Sequence, residues 1–350
     1  MRIPMFPLLP PWHTILPMPT RTAGLRHFLG LDGLAREVIE HLLHEAESLA
    51  PIARGEDGAG VSPARGSADG TSALPLAGRT VATIFLENST RTRASFSIAT
   101  RKLGADVLDL SGDSTSRSKG ETLLDTCRNL QAMGVDCFII RTNASGDPHQ
   151  VAKHLKKPVI NGGDGRHEHP TQGLLDLMTL REKLGALDGR TIGIVGDIAN
   201  SRVARSALFG LTTLGANVLL IGPPALAPRS FEEIVTGSAG VPPARGQVTV
   251  SRDFDAALPQ VDALIMLRVQ FERAAGEAIA SIEEYRSRFA LTAKRAAMMP
   301  EHAVVLHPGP INRGIEIESD VADDPRRSVI LQQVGNGVAI RMAVLMAVCA

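Results

Sequence analysis

Eight short apolar runs, at residues 80–86, 106–110, 137–141, 158–161, 191–196, 217–221, 263–267 and 303–307, alternate with segments whose apolar residues recur at helical spacing. This alternation constrains the fold more than any other feature of the chain. Strands that are apolar throughout need cover on both faces, and a helix between two of them returns the chain for parallel pairing. The helical spacing is clearest at 121–133, 171–184, 202–214 and 292–299, and from Leu34 through Val38 and Leu42 to Leu49. The 350 residues suffice for two cores. The pattern therefore predicts an α/β protein of two doubly wound parallel-sheet domains joined by interdomain helices. The expected boundaries are an extension at 1–20, a first domain at 21–169, a linking helix at 170–184 and a second domain at 185–330. A helix at 335–350, with Val338, Met342 and Leu345 on its apolar face, is expected to pack back on the first domain.

Formal net charge is +0, so no global field favours nucleic acid or an anionic membrane. An anionic ligand would have to be captured by local geometry. No apolar run reaches transmembrane length, and the first twenty residues are too proline-rich for a signal peptide. Cys127, Cys137 and Cys349 are odd in number and lack metal-ligand or CxxC spacing, which fits a reducing cytoplasm. Two stretches, GEDGAGVSPARGSADG at 55–70 and GSAGVPPARG at 237–246, share a GVxPARG element and read as inserted surface loops.

The polar clusters follow the apolar runs, where parallel α/β sheets bind ligands. After residues 80–86 come Glu87, Asn88, Ser89, Thr90, Arg91, Thr92 and Arg93. Ser89 suits an N-cap, which puts Thr90, Arg91 and Thr92 in a first helical turn whose N–H groups are unpaired and lie at the positive end of the dipole. With hydroxyls and a guanidinium added, such a turn can hold a phosphate. The alternative, for this segment alone, is a capped surface helix with solvated arginines.

Further clusters lie at 113–122, containing Ser116 and Lys119; at Arg141; at 161–173, containing His167, Glu168, His169 and Gln172; and at 196–202, ending in Arg202. The last two are 266–273, with Arg268, Gln270 and Arg273, and 307–314, His-Pro-Gly-Pro-Ile-Asn-Arg-Gly. The cluster at 196–202 lacks GxGxxG, which argues against a nicotinamide cofactor. His167, Glu168 and His169 are adjacent, and adjacent residues rarely converge on one ion, so no metal is expected. Arg91, Lys119, Arg141, Arg202 and Arg268 suit a substrate pair carrying several negative charges. No serine triad, paired carboxylates or catalytic cysteine accompanies them. Cations, hydroxyls and one histidine fit group transfer by positioning and electrostatics.

On Ser-Thr-Arg-Thr-Arg at 89–93 and His-Pro-Thr-Gln at 169–172, the chain resembles the aspartate/ornithine carbamoyltransferase family from about Leu31 to the C-terminus. The resemblance implies carbamoyl transfer from carbamoyl phosphate to the α-amine of L-aspartate, for pyrimidine synthesis, without metal or organic cofactor. The first domain would bind carbamoyl phosphate and the second aspartate. It also implies that Ser89, Thr90, Arg91 and Thr92 hold the phosphate, and that Thr92, Arg141 and His169 donate to the carbonyl oxygen. Gln172 and the backbone at Gly309 and Pro310 would orient the carbamoyl amide, while Arg202, Arg268 and Gln270 grip the aspartate carboxylates. Lys119, with Ser116 or Thr115, would come from a neighbouring subunit of a homotrimer, which in turn could join regulatory or dihydroorotase-like chains. Glu87 would bridge Arg202 and Arg273 in a closed state. An ornithine-using member would carry a cysteine in the late His-Pro loop. Here 307–310 has none, and Arg268 with Gln270 suits an anionic amino acid. A non-catalytic anion-binding assembly subunit is the reading from another class.

Overall fold

The structure, a computed structural model, describes residues 25–56, 74–111, 120–234, 246–269 and 281–349. Most of both loop insertions and the first 24 residues lie outside these, as do Ser116, Lys119, Gln270 and Arg273. The first half runs α1 (Arg36–Arg54), β1 (Thr80–Phe85), α2 (Thr90–Lys102), β2 (Asp106–Ser111), α3 (Leu123–Ala132), β3 (Cys137–Thr142), α4 (Asp147–His154), β4 (Val159–Asp164) and α5 (Pro170–Leu184). The second half continues with β5 (Thr191–Val195), α6 (Arg202–Thr213), β6 (Asn217–Ile221), β7 (Val248–Ser251), α7 (Phe254–Ala257) and β8 (Ala263–Met266). It ends with α8 (Ile282–Phe289), α9 (Ala293–Ala296), β9 (Val304–Leu306), α10 (Ser319–Ala322) and α11 (Ile330–Cys349).

The strands form two parallel sheets, ordered β2-β1-β3-β4 and β7-β6-β5-β8-β9. β3, β4 and β8 are buried along their whole length, as apolar runs covered on both faces require. One apolar cluster joins the sheets: Ile139 and Ile160 from the first meet Ile192, Ile194 and Ile265 from the second through Leu174 and Leu177 of α5 and Leu208 and Leu211 of α6. α5 packs on α6 on one side and on α11, α1 and β4 on the other.

All eight strands read from the sequence are present, most with ends within a residue or two. β4 extends to Asp164, through Gly162 and Gly163, three residues beyond the end expected. The short edge strand β7 went unread, because its Val248-Thr249-Val250-Ser251 alternation spans only four residues beside a low-complexity loop. The helix expected at 121–133 starts at Leu123, because the Thr122 hydroxyl accepts from the Asp125 N–H at 3.1 Å and caps it. Only Ala293–Ala296 of the expected 292–299 is helical. The C-terminal helix starts at Ile330, five residues early. Its twenty residues are long and apolar enough to cross a bilayer, which corrects the expectation that no segment reaches that length. It is instead a core helix, buried against α1, α5 and α2.

One carboxylate ties the halves together beside the cavity described next. Glu168 is 1% exposed and accepts from the Leu31 and Asp32 N–H groups at 2.9 and 3.1 Å and from the Ser206 hydroxyl at 2.7 Å. Ser206 lies on α6, and its oxygen accepts from the His169 N–H at 2.9 Å. Glu168→Gln turns a donor toward backbone N–H groups that need an acceptor, which costs roughly 1–3 kcal/mol. Denaturant unfolding is expected to show a loss of that size, and an unchanged midpoint would remove Glu168 from this role.

Candidate active site

The carboxyl ends of six strands, β1, β3 and β4 of one sheet and β5, β8 and β9 of the other, deliver side chains to one cavity of about 440 Å³. Of the residues singled out in the sequence, Glu87, Ser89, Thr90, Arg91, Thr92, Arg141, His169, Gln172, Arg202, Arg268, Gly309 and Pro310 all line it.

From the first sheet, β1 ends at Phe85 and α2 begins at Thr90. Ser89 occupies the N-cap position with extended backbone, but its hydroxyl makes no capping bond. That hydroxyl and the first-turn N–H groups therefore face the cavity uncommitted within the helix. Arg91 reaches across to the Pro308 carbonyl at 3.3 Å. Its approach depends on Gly309, whose φ is +65° and where an added Cβ would stand 2.8 Å from the Arg91 guanidinium carbon.

Thr92, Arg141 and His169 meet deeper in the cavity. His169 Nε2 lies 3.4 Å from Thr92 Oγ1 and 3.5 Å from an Arg141 nitrogen, at the outer limit of hydrogen bonding. His169 is 4% exposed. Burial, then Arg141, Arg202 and Arg341, hold its imidazole well below the usual histidine range, so the ring is neutral at neutral pH. Burial and Arg202 bring Arg141 down to about 10, which leaves it charged. The Arg141 guanidinium also donates to the Gly162 carbonyl at 3.1 Å. Gly163 makes room here: at φ +117°, a Cβ would lie 3.0 Å from Arg141 and 3.3 Å from Arg202. The glycines of β4 thus serve the approach of two arginines.

From the second sheet, Ser201 caps α6 by accepting from Ala204 N–H at 3.1 Å, which places Arg202 in the first turn. A single Arg202 nitrogen meets both Glu87 oxygens, at 2.9 and 2.7 Å. Glu87 also faces Arg141 at 3.6 Å. The described partners of Glu87 are thus Arg202 and Arg141, where the resemblance suggests Arg202 and Arg273. Arg268 follows β8 and faces the same space.

Asp197, within the 196–202 cluster but given no role there, also lines the cavity. It is 3% exposed, and one of its oxygens accepts from the Asn200 side chain at 2.9 Å and backbone at 3.2 Å. Its signal was its position after the β5 run. His167 and Glu168 do not join His169 in a ligand set. His167 instead pairs with Asp164 at 3.1 Å and meets His149 edge-on. Possible ligand atoms of His149, Asp164 and His167 lie within 4.8 Å of one another. Asp164 already accepts from Gly146 and Glu168 N–H and from the Asn161 amide, so it serves as an anchor of the loop before His169.

Comparison with known proteins gives this geometry a family. The model for the aspartate/ornithine carbamoyltransferase carbamoyl-P binding domain matches residues 26–182, and that for the Asp/Orn binding domain matches 188–348. The aspartate carbamoyltransferase catalytic subunit of Magnetococcus marinus is 46% identical over 93% of both chains. That of Mycobacterium tuberculosis is 49% identical over 91% of this chain and 94% of the relative. Among solved structures, aspartate transcarbamoylase from Trypanosoma cruzi, in complex with carbamoyl aspartate and phosphate, is 28% identical with a TM-score of 0.79, covering 95% of this chain and 98% of that one. The catalytic subunit of M. jannaschii aspartate transcarbamoylase is 28% identical with a TM-score of 0.76, over 92% and 97%. Both sheets, and the strand ends that build the cavity, fall within the matched regions, and the chain belongs to the aspartate/ornithine carbamoyltransferase family.

Proposed function

We propose that this chain transfers the carbamoyl group of carbamoyl phosphate to the α-amine of L-aspartate, giving N-carbamoyl-L-aspartate and phosphate for pyrimidine synthesis. One observation carries the reading: an anion cradle at the start of α2 faces Arg268 from the other sheet across a single cavity. Two anionic substrates fit such a space with their reacting ends together. Solved relatives hold carbamoyl phosphate, aspartate, and carbamoyl aspartate with phosphate, and relatives at 46–49% identity are named aspartate carbamoyltransferase.

The phosphate binds Ser89, Thr90, Arg91 and Thr92 through hydroxyls, first-turn N–H groups and a guanidinium. The carbonyl oxygen lies among Thr92, Arg141 and His169, and these donors strengthen as the amine attacks and negative charge moves onto that oxygen. Gln172 and the backbone at 309–310 hold the carbamoyl amide. As the tetrahedral intermediate collapses, the C–O bond to phosphate breaks. The departing phosphate takes the proton from the amine, so no protein base of raised pKa is required. Arg268, with Gln270, receives aspartate carboxylates, and Arg202 joins them while its contact with Glu87 ties the two halves together. Lys119 and Ser116 come from a neighbouring copy in a homotrimer, and the reaction runs in the cytoplasm, in keeping with three unpaired cysteines.

The direct test is product formation. The chain is expected to make carbamoyl aspartate from aspartate and no citrulline from ornithine. Arg268→Ala is expected to raise the aspartate KM about 30-fold or more, the equivalent of at least ~2 kcal/mol for a carboxylate left unpaired, with little change for carbamoyl phosphate. Equal effects on both substrates would refute the division between the halves.

His169→Ala is expected to lower kcat by roughly 10²–10³ while carbamoyl phosphate still binds. Histidine ¹⁵N shifts are expected to show a neutral ring at pH 6. The sign follows from linkage: with the folded pKa depressed below 6.5, the unfolded chain takes the proton first. The stability contribution of His169 is therefore complete above about pH 6.5 and falls as pH drops below it. A ring that titrates near 6.5 in the folded chain would contradict this environment.

For the shared site, inactive Lys119→Ala and Arg91→Ala chains are expected to regain activity when refolded together, since some interfaces in a mixed trimer pair an intact cradle with an intact Lys119. No recovery in confirmed mixed trimers would place Lys119 in the site of its own chain.

A further inference from the structure

Behind the cavity wall, one carboxylate oxygen collects two carboxamides, one from its own helix and one from the C-terminal helix. Asp176, on α5 and 1% exposed, accepts at Oδ1 from Gln172 Nε2 at 2.9 Å and from Gln333 Nε2 at 2.6 Å. An oxygen that only accepts decides which way both amides face. The Gln172 oxygen is thereby left for the cavity, where it can receive an N–H. The Gln333 oxygen accepts instead from the His307 N–H at 3.1 Å. His307 in turn accepts at Nδ1 from the Gly309 N–H at 2.8 Å, so its other nitrogen carries the proton and donates to Glu316 at 3.1 Å. Gln172 and the 307–310 loop, the two groups assigned above to the carbamoyl amide, thus hang from one buried acceptor.

We propose that Asp176 is a positioning residue for recognition of the carbamoyl amide, holding the Gln172 acceptor and, through Gln333, the 307–310 backbone toward the substrate NH₂. This deepens the proposed function and rests on it. Asp176 makes no ion pair within 4 Å among the described residues, and its second oxygen has no hydrogen-bond partner among them, so its bonds go to the two amides. Arg341, nearby, spends its guanidinium on the Gly337 carbonyl at 2.8 Å and on the face of Phe96. Burial pushes the Asp176 carboxyl up to about 7, and in either protonation state one oxygen remains to accept. A gap of about 50 Å³ between Gln172, Gln333, His307 and Arg91 leaves both amides room to turn once that acceptor is lost.

The test compares carbamoyl phosphate with acetyl phosphate, which carries a methyl group in place of the NH₂. In the carbamoyl aspartate assay, the ratio of the acetyl phosphate inhibition constant to the carbamoyl phosphate KM reports amide recognition and does not depend on how much protein is folded. Asp176→Ala is expected to lower this ratio about tenfold, the equivalent of one hydrogen bond, together with a fall in kcat. Asp176→Asn, which keeps an accepting oxygen, is expected to stay within about threefold of the parent. Asp176→Ala combined with Gln172→Ala is expected to lose less than the two singles multiplied together. A ratio unchanged in Asp176→Ala, or full additivity with Gln172→Ala, would reduce Asp176 to a structural role. Absence of carbamoyl aspartate from the unmodified chain would instead overturn the reaction, and this role with it.

Discussion

Arg91, Arg141, Arg202 and Arg268 share one cavity, and like charges in a partly desolvated space repel unless something holds them. Glu87 is the carboxylate that meets two of them. It leaves β1 of one sheet and binds Arg202 at the start of α6 in the other half, so the same contact relieves repulsion and spans the cavity. The arrangement also sets the state of His169. Buried and flanked by arginines, its imidazole stays neutral and serves as a hydrogen-bond donor or acceptor without adding charge.

The scaffold meets this demand with buried acceptors and missing side chains. Glu168 fastens residues 31 and 32 and, through Ser206, α6 around the backbone N–H of His169. Asp164 fastens the loop before it, and Asp176 orients the amides behind it. Gly163 and Gly309 leave the space that Arg141, Arg202 and Arg91 occupy. The catalytic face therefore rests on groups that never reach it.

Where chemistry and position coincide, the sequence points to residues that the structure brings together in one cavity. Residues 89–92, Arg141, His169, Arg202 and Arg268 each sit at the end of an apolar run, and the carboxyl ends of parallel strands share one edge of a sheet. The sequence is silent where a residue's partner is remote. Asp176 reads as a polar residue within an apolar helix, and Gln333 lies 157 residues away. Glu168 stands between two histidines and invites thoughts of a metal, yet its side chain turns toward Leu31 and Ser206.

By itself, the sequence determined the alternation of strands and helices, the parallel sheets that follow from it, and the polar clusters that crown their ends. Burial of apolar runs on both faces and the capping of helix starts are local or periodic properties, so they are written in order along the chain. The tertiary structure decided which clusters meet: that Arg91 rests on Gly309, that Glu87 takes Arg202 and Arg141, that α11 is core, and that one oxygen of Asp176 serves both Gln172 and Gln333. Most of these depend on distances between segments a hundred or more residues apart. Such distances are fixed only when both sheets share the core around α5 and α6, because a hydrogen bond or ion pair forms over a few ångströms of space, whatever the separation along the chain.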